Sequence, residues 1–384
     1  MHHLSSKHDS VVITGVGVLS PLGSGFDSLR SALADPPASP PSAPTTGLLA
    51  SYSGSIDDFG KLPLDRKRSL RKSMKLMNRE TQLGVAAAFQ AIQDSDLDAA
   101  AYAPDRVGVC FGAGNVEVRP EDFVAGVQAC GESSAEMIEA AWGSLGIPHV
   151  DPLWVLRVLP NMPACHIAIS YDYRGPNNTI TQAEASANLA IQEAKYHLLD
   201  GEADAMIVGS TGTTIRIDGT GETDGSASDH GSEGAAAFVI ERLERAQQRG
   251  ATIYGEVLGI GSSCVIDATM VPKPDEAANN AIRASLAQSH LAGDDNVQFT
   301  VINDQCDAPA IKRLLKSQPT DLLNLSDWIG HVDAGSGAIG LAVALQRLAA
   351  ADTSATRSAI NIGITHNGLA SCLTVRNLQP SRAA

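Results

Sequence analysis

Aromatic side chains are scarce, at 4% of 384 residues, whereas glycine occurs 35 times. A core with few large rings is built by close approach of small-residue helices and strands, and glycine supplies the tight turns between them. Long apolar runs are missing as well. No stretch approaches the ~18 uninterrupted apolar residues of a membrane span. The opening "VVITGVGVLSPL" is broken by glycine and lacks the basic flank and cleavage pattern of a signal peptide. Positive charge is in deficit: 28 Lys and Arg against 43 Asp and Glu leave a net charge of −15. That balance argues against nucleic acid or an anionic membrane as a general partner. Cys110, Cys130, Cys165, Cys264, Cys306 and Cys372 contain no C-x-x-C pair, and most sit in apolar runs such as "VGVCFG". This is the pattern of reduced, buried thiols in a cytoplasmic protein. No P-loop, G-x-S-x-G or H-E-x-x-H occurs. "TGVGVLS" offers Gly15 and Gly17 but puts Ser20 where a dinucleotide fingerprint needs its third glycine, and no acidic residue follows at the right distance.

What is present reads as an α/β protein with a large core. "VVITGVGV" at 11–18 is a buried strand, and the proline-rich 36–48 is an exposed excursion. Residues 65–97 read as one long helical stretch with a strongly basic start, 106–114 as a buried strand, and 121–146 as helical. "ADAMIVGST" is a further buried strand, followed by a polar Gly/Asp/Thr loop over 211–234. "TIYGEVLGIGSS" resembles the start of the chain in character, and strands and helices alternate again to the end. The alternation predicts parallel sheets covered by helices. The repeated element order predicts two similar halves, 10–249 and 250–380.

One joint stands out. "TITQAEASANLAIQEA", 179–194, begins as a strand and continues as a small-residue helix, with the carboxylate of Glu184 at the change. Many α/β enzymes present a nucleophile at such a place, where free backbone N–H groups point at the side chain.

The surrounding segment, "GPNNTITQAEASANLAIQEAKYHLLDGEADAMIVGST", resembles the stretch of β-ketoacyl-acyl-carrier-protein synthases that carries their catalytic Cys in T-A-C. "VVITGVGVLSPLG", "LPNMPACHIAI", "GSEGAAAFVIERLERAQQRGATIYGEV", "IGHVDAGSGAIGLAVAL" and "INIGITHNGLA" resemble five further family segments in the same order. The resemblance runs from about residue 11 to 378. It implies the thiolase fold, a five-layer α-β-α-β-α sandwich of two similar halves, normally a dimer. In working members the Cys thiolate takes an acyl group, and two histidines assist decarboxylation and condensation.

The chain departs from this pattern at the chemistry. Glu184 stands at the Cys position, and Gln305, or at most Asp304, at that of the first histidine. Ser326 aligns with the lysine that precedes the second histidine, and His366 replaces a glycine of the closing turn. His331 is the one catalytic position kept. The resemblance then implies one of two roles. The first is a non-condensing partner of an active synthase, like a chain-length factor, with Glu184 as a helix cap. The second is an enzyme in which Glu184, Gln305, His331, His366 and Cys306 converge for acid–base chemistry on an acyl thioester: dehydration, isomerisation, hydrolysis or acyl transfer. Malonyl decarboxylation is disfavoured, because Glu184 would repel the malonyl carboxylate. Within that second role, His331, His366 and a carboxylate offer a conceivable metal site, although their spacing is not diagnostic, and no cofactor is implied. Lys67, Arg68, Arg71, Lys72 and Lys75 form a basic run on an acidic protein. It is either a solvated helix face or, as the resemblance implies, a dock for acyl carrier protein. The partners expected are that carrier and a second synthase-like chain, identical or active.

Overall fold

The computed structural model describes residues 10–34, 48–97, 102–114, 118, 120–131, 134–215, 231–291, 297–303, 311, 321–350 and 356–378. Asp304, Gln305 and Cys306 lie outside the described residues, as does almost all of the proline-rich 36–48 segment.

The strands are β1 (Val11–Ser20), β2 (Gly23–Ser24), β3 (Val107–Ala113), β4 (Asn177–Ile180), β5 (Ala205–Thr213), β6 (Glu233–Arg242), β7 (Gly255–Cys264), β8 (Val297–Asn303), β9 (Asp321–Asn324), β10 (Ser358–Ile364) and β11 (Leu369–Arg376). They form one sheet in the order β4-β3-β5-β6-β1-β7-β11-β10-β8-β9, with β2 paired to β1. Read outward from the middle, each side runs through its first, fifth, fourth, second and third long strand. The two sides meet where Val11–Ile13 of β1 pair antiparallel with Gly255–Val257 of β7. The chain is therefore folded twice in the same pattern.

The sheets are mixed rather than parallel throughout. β3 pairs parallel with β4 and β5, and β8 with β9 and β10, but β6 runs antiparallel to both neighbours, as does β11. The cause is local for β10 and β11: they are joined by the short turn after Ile364, with no helix to carry the chain back for a parallel return.

Helices make three further layers. Arg79–Asp94 covers β1, β5 and β6 on one outer side, and Pro274–Gln288 covers β7 and β11 on the other. Between the sheet halves lie Ser186–Leu199, against β3, β5, β7 and β11, and Gly335–Ala350, against β5, β6, β8 and β10. This is the five-layer α-β-α-β-α arrangement. Its glycine pairs have a packing purpose. A Cβ on Gly15 or Gly17 would strike the backbone oxygen of Ala91 or Ala87, and one on Gly259 or Gly261 that of Ser285 or Ala281. Each first strand thus lets its outer helix lie almost on the backbone. The G-x-G of "TGVGV" is a helix seat repeated in "LGIGS".

Two helical readings need correction. Residues 65–97 are not one helix: Leu64–Ser73 and the turn Met74–Leu76 end before Arg79–Asp94 begins. The break is made by Asn78, whose Oδ1 accepts the Thr81 N–H at 2.7 Å and caps the second helix. Among the described residues, 121–146 hold the end of the 3₁₀ turn Pro120–Asp122, then Val124–Ala129, Ala135–Ala141 and the π turn Trp142–Gly146, with a break at Gly131, whose φ is 76°.

Candidate functional site

The two central helices bring their N-termini together, and the site lies there. Ser186–Leu199 is entered through the 3₁₀ turn Ala183–Ala185, with Ala183 in the left-handed region at φ 44°. That sharp turn aims Glu184 inward, leaving it 2% exposed. Its backbone is gripped from the second half: a Cβ on Gly363 of β10 would strike the Glu184 carbonyl, so only glycine permits the approach. Gly335–Ala350 is entered from the loop carrying His331 and Asp333. The His331 carbonyl accepts from Thr214 Oγ1 at 2.6 Å and from the Ser232 N–H at 3.1 Å, which ties that loop to the first half.

Across this junction Nε2 of His331 lies 3.5 Å from Oε1 of Glu184. Asp333 joins them, and one ligand atom from each of the three lies within 4.8 Å of the others. Burial pushes the Asp333 carboxyl up against the opposing pull of His331, the Ala334 N–H and His366. His366 sits exposed in the turn between β10 and β11, near enough for its charge to act on Asp333. Behind the pair lies Glu80, 3% exposed, whose Oε1 accepts from the Gly114 N–H at 2.9 Å. Burial pushes its carboxyl up from 4.5 to about 7, and the nearby Asp333 adds to the rise.

A buried polar network supports the junction. Asn361 donates through Nδ2 to Asn188 Oδ1 at 3.0 Å and to the Gly337 carbonyl at 2.8 Å. Asn188 donates to Ser371 Oγ at 3.1 Å, and Asn303 Nδ2 to Asn361 Oδ1 at 3.3 Å. These amides lock β10 to both central helices.

The structure thus brings together Glu184, His331 and, at the rim, His366. Gln305 and Cys306 are outside the described residues. Glu80 and Asp333 were not read as site residues from sequence. The available signal was an acidic residue two places after His331 in "GHVDAG" and another in the first turn of an otherwise apolar helix at "NRETQLGVAAA". Cys110 packs in the core with Ala190 and Ile191, and burial raises its thiol. Cys372 packs with Ile282 and Ile302, its thiol pushed up to about 12. Neither is a nucleophile at neutral pH.

Glu80 gives a pH prediction. Its folded carboxyl holds a proton that the unfolded chain releases above about 4.5, so its contribution to stability is full below that pH and is lost as pH rises through about 7. The shift is worth on the order of 3 kcal/mol. In chelator-containing buffer the melting temperature should fall between pH 5 and pH 8, and Glu80→Gln should remove most of that slope. An unchanged slope in the variant would exclude Glu80 as its source.

Arg68, Arg71, Lys72 and Lys75 are exposed on Leu64–Ser73 and the turn after it, spaced along one helical face. Lys67 is partly engaged, 3.3 Å from Asp57. Leu70 is buried and anchors the helix, and Arg66 stacks 4.0 Å over the Tyr171 ring. Among the described residues no helix is long and apolar enough to cross a membrane.

Comparison with known proteins gives a consistent picture. The family profile "Beta-ketoacyl synthase, N-terminal domain" matches residues 8–246. The chain is 27% identical to 3-oxoacyl-[acyl-carrier-protein] synthase 2 of Staphylococcus aureus (strain COL), covering 87% of this chain and 84% of that protein. It is 26% identical to the protein of that name from Vibrio cholerae serotype O1, covering 88% and 86%. Among solved structures it is similar to a ketosynthase bound to a hexaketide, in complex with its type II PKS acyl-carrier protein (TM-score 0.72, 19% identity, 96% and 99% covered). It is likewise similar to the ishigamide ketosynthase/chain length factor (TM-score 0.69, 20% identity, 96% and 99% covered).

Proposed function

The chain belongs to the beta-ketoacyl synthase family, and on that premise we propose that it does not condense, but partners an active synthase in fatty acid or polyketide biosynthesis, as a chain-length factor does. The observation that carries this reading is the buried Glu184 carboxylate facing His331 at 3.5 Å, at the position the resemblance assigns to the nucleophile. A carboxylate there forms no stable thioester, and Ser326 offers no ammonium at the position of the family's lysine. The intact core, the asparagine network and the glycine contact at Gly363 support a scaffold kept in full while the nucleophile is gone.

The partner role needs a second chain. β4 ends the sheet, and Asn177 and Asn178 on it are exposed, which supports pairing of that edge with another chain. Light scattering at micromolar concentration should therefore return a dimer, homodimeric when the chain is expressed alone. A monomer would contradict the reading. Acyl carrier protein is the second partner, met by Arg68, Arg71, Lys72 and Lys75. Reversing these four charges to Glu should weaken carrier-protein binding at least about tenfold, with the wild-type affinity falling as salt rises. Unchanged affinity in the reversed variant would reject that surface.

A further inference from the structure

The set of side chains at the two helix ends has a donor chemistry that a bystander position does not require. Glu184, His331 and Asp333 come from opposite halves of the fold, yet each turns a ligand atom into a space in which those atoms all lie within 4.8 Å of one another. The His331 Nε2 to Glu184 Oε1 edge is 3.5 Å. Oxygen and nitrogen donors about 2.0–2.2 Å from one ion are separated by roughly 3–4.4 Å, so small side-chain rotations close the set.

Charge points the same way. Glu184 and Asp333 set two carboxylates around one imidazole in a largely buried space. The N-termini of Ser186–Leu199 and Gly335–Ala350 supply only about half a positive charge each. Two carboxylate ligands beside one imidazole leave an excess of negative charge at that point once they bind, which a divalent cation offsets. One imidazole nitrogen beside two carboxylate oxygens suits zinc and its first-row neighbours better than magnesium or calcium, which take oxygen ligands.

We propose that Glu184, His331 and Asp333 bind one divalent transition-metal ion of the zinc class and so staple the N-termini of the two central helices together. Gly363 of the second half lies against the Glu184 carbonyl and Thr214 of the first half donates to the His331 carbonyl, so the ion would add to contacts that already cross between the halves. The inference rests on the placement of Glu184 in the site, and the partner role is tested by other means. A failed ion count leaves the partner assay standing, and the reverse also holds.

The test is titration of the chelator-stripped full chain with Zn²⁺ by calorimetry, with the bound ion counted by elemental analysis after gel filtration. The expected result is one ion per chain, a melting temperature raised by Zn²⁺, and a visible absorption band with Co²⁺. His331→Ala and Asp333→Asn should each lower Zn²⁺ affinity at least about tenfold. His197→Ala should leave it within about twofold; it removes a half-buried imidazole that Glu193 and Glu202 flank, away from the proposed site. Two results overturn the proposal: no stoichiometric ion on the wild-type chain, or binding lost in His197→Ala and kept in His331→Ala. The wild-type ion count needs no variant, so a variant that fails to fold leaves the test intact.

Discussion

Supplied with acyl- and malonyl-carrier protein, the purified chain alone should yield ketoacyl product at least about 10⁵-fold more slowly than an intact synthase. Removing the nucleophile from an unrelated hydrolase costs about a million-fold in kcat, and here more than the nucleophile has changed. Glu184→Cys should stay at the same floor. A thiol at that joint would gain from two helix N-termini that favour the thiolate. It would still lack the ammonium and the first imidazole, whose positions the resemblance assigns to Ser326 and Gln305. Ketoacyl product from the wild type or from Glu184→Cys, seen by mass spectrometry of the carrier-bound acyl groups, would contradict this.

Arg249→Ala should cost about 3–5 kcal/mol of stability, the largest loss expected from a single substitution outside the site. Glu241 in β6 is fully buried and accepts from Arg249 Nη2 at 2.5 Å and Nε at 2.9 Å, from Thr14 Oγ1 at 2.5 Å and from Tyr102 at 2.8 Å. Arg249 also donates to the Ser95 carbonyl at 2.7 Å, beyond the end of the outer helix Arg79–Asp94. Truncating the guanidinium leaves a desolvated carboxylate with only hydroxyl donors. Arg249→Lys should recover part of the loss, because an ammonium cannot match the planar fork that engages both carboxylate oxygens. Urea unfolding measures both variants. A loss under about 1 kcal/mol for Arg249→Ala would contradict the assignment of Arg249 as the main partner of the buried Glu241 carboxylate.

Element identity was largely legible because each half writes the same pattern: a glycine-spaced first strand, helices of small residues, and buried strands. "TGVGV" and "LGIGS" looked alike in sequence for the reason the structure displays, the need to seat a helix against backbone. Strand direction was less legible. Alternating elements suggest parallel pairing, and only the short connection after Ile364 betrays the antiparallel return of β11. The break at Asn78 was hidden because a capping side chain inside a basic, helix-favouring run carries little compositional signal. β9, four residues long, was missed, since its edge position demands no apolar run. In the site, Glu184 and His331 were legible from their place at joints in a recognised order of segments. Glu80 and Asp333 were not, because they join the cluster through long-range packing of Gly114 and of the loop before Gly335.

The most direct test of the central claim is one product analysis: mass spectrometry of carrier-bound acyl groups from this chain, from an intact ketosynthase, and from the two together. The account predicts no turnover by this chain, a one-to-one complex with the ketosynthase, and a product length that changes when this chain is present. It predicts the same complex and the same product when Glu184→Gln replaces the wild type. Thioester turnover by the chain alone that Glu184→Gln abolishes would contradict the account and make Glu184 the base or nucleophile of a repurposed enzyme.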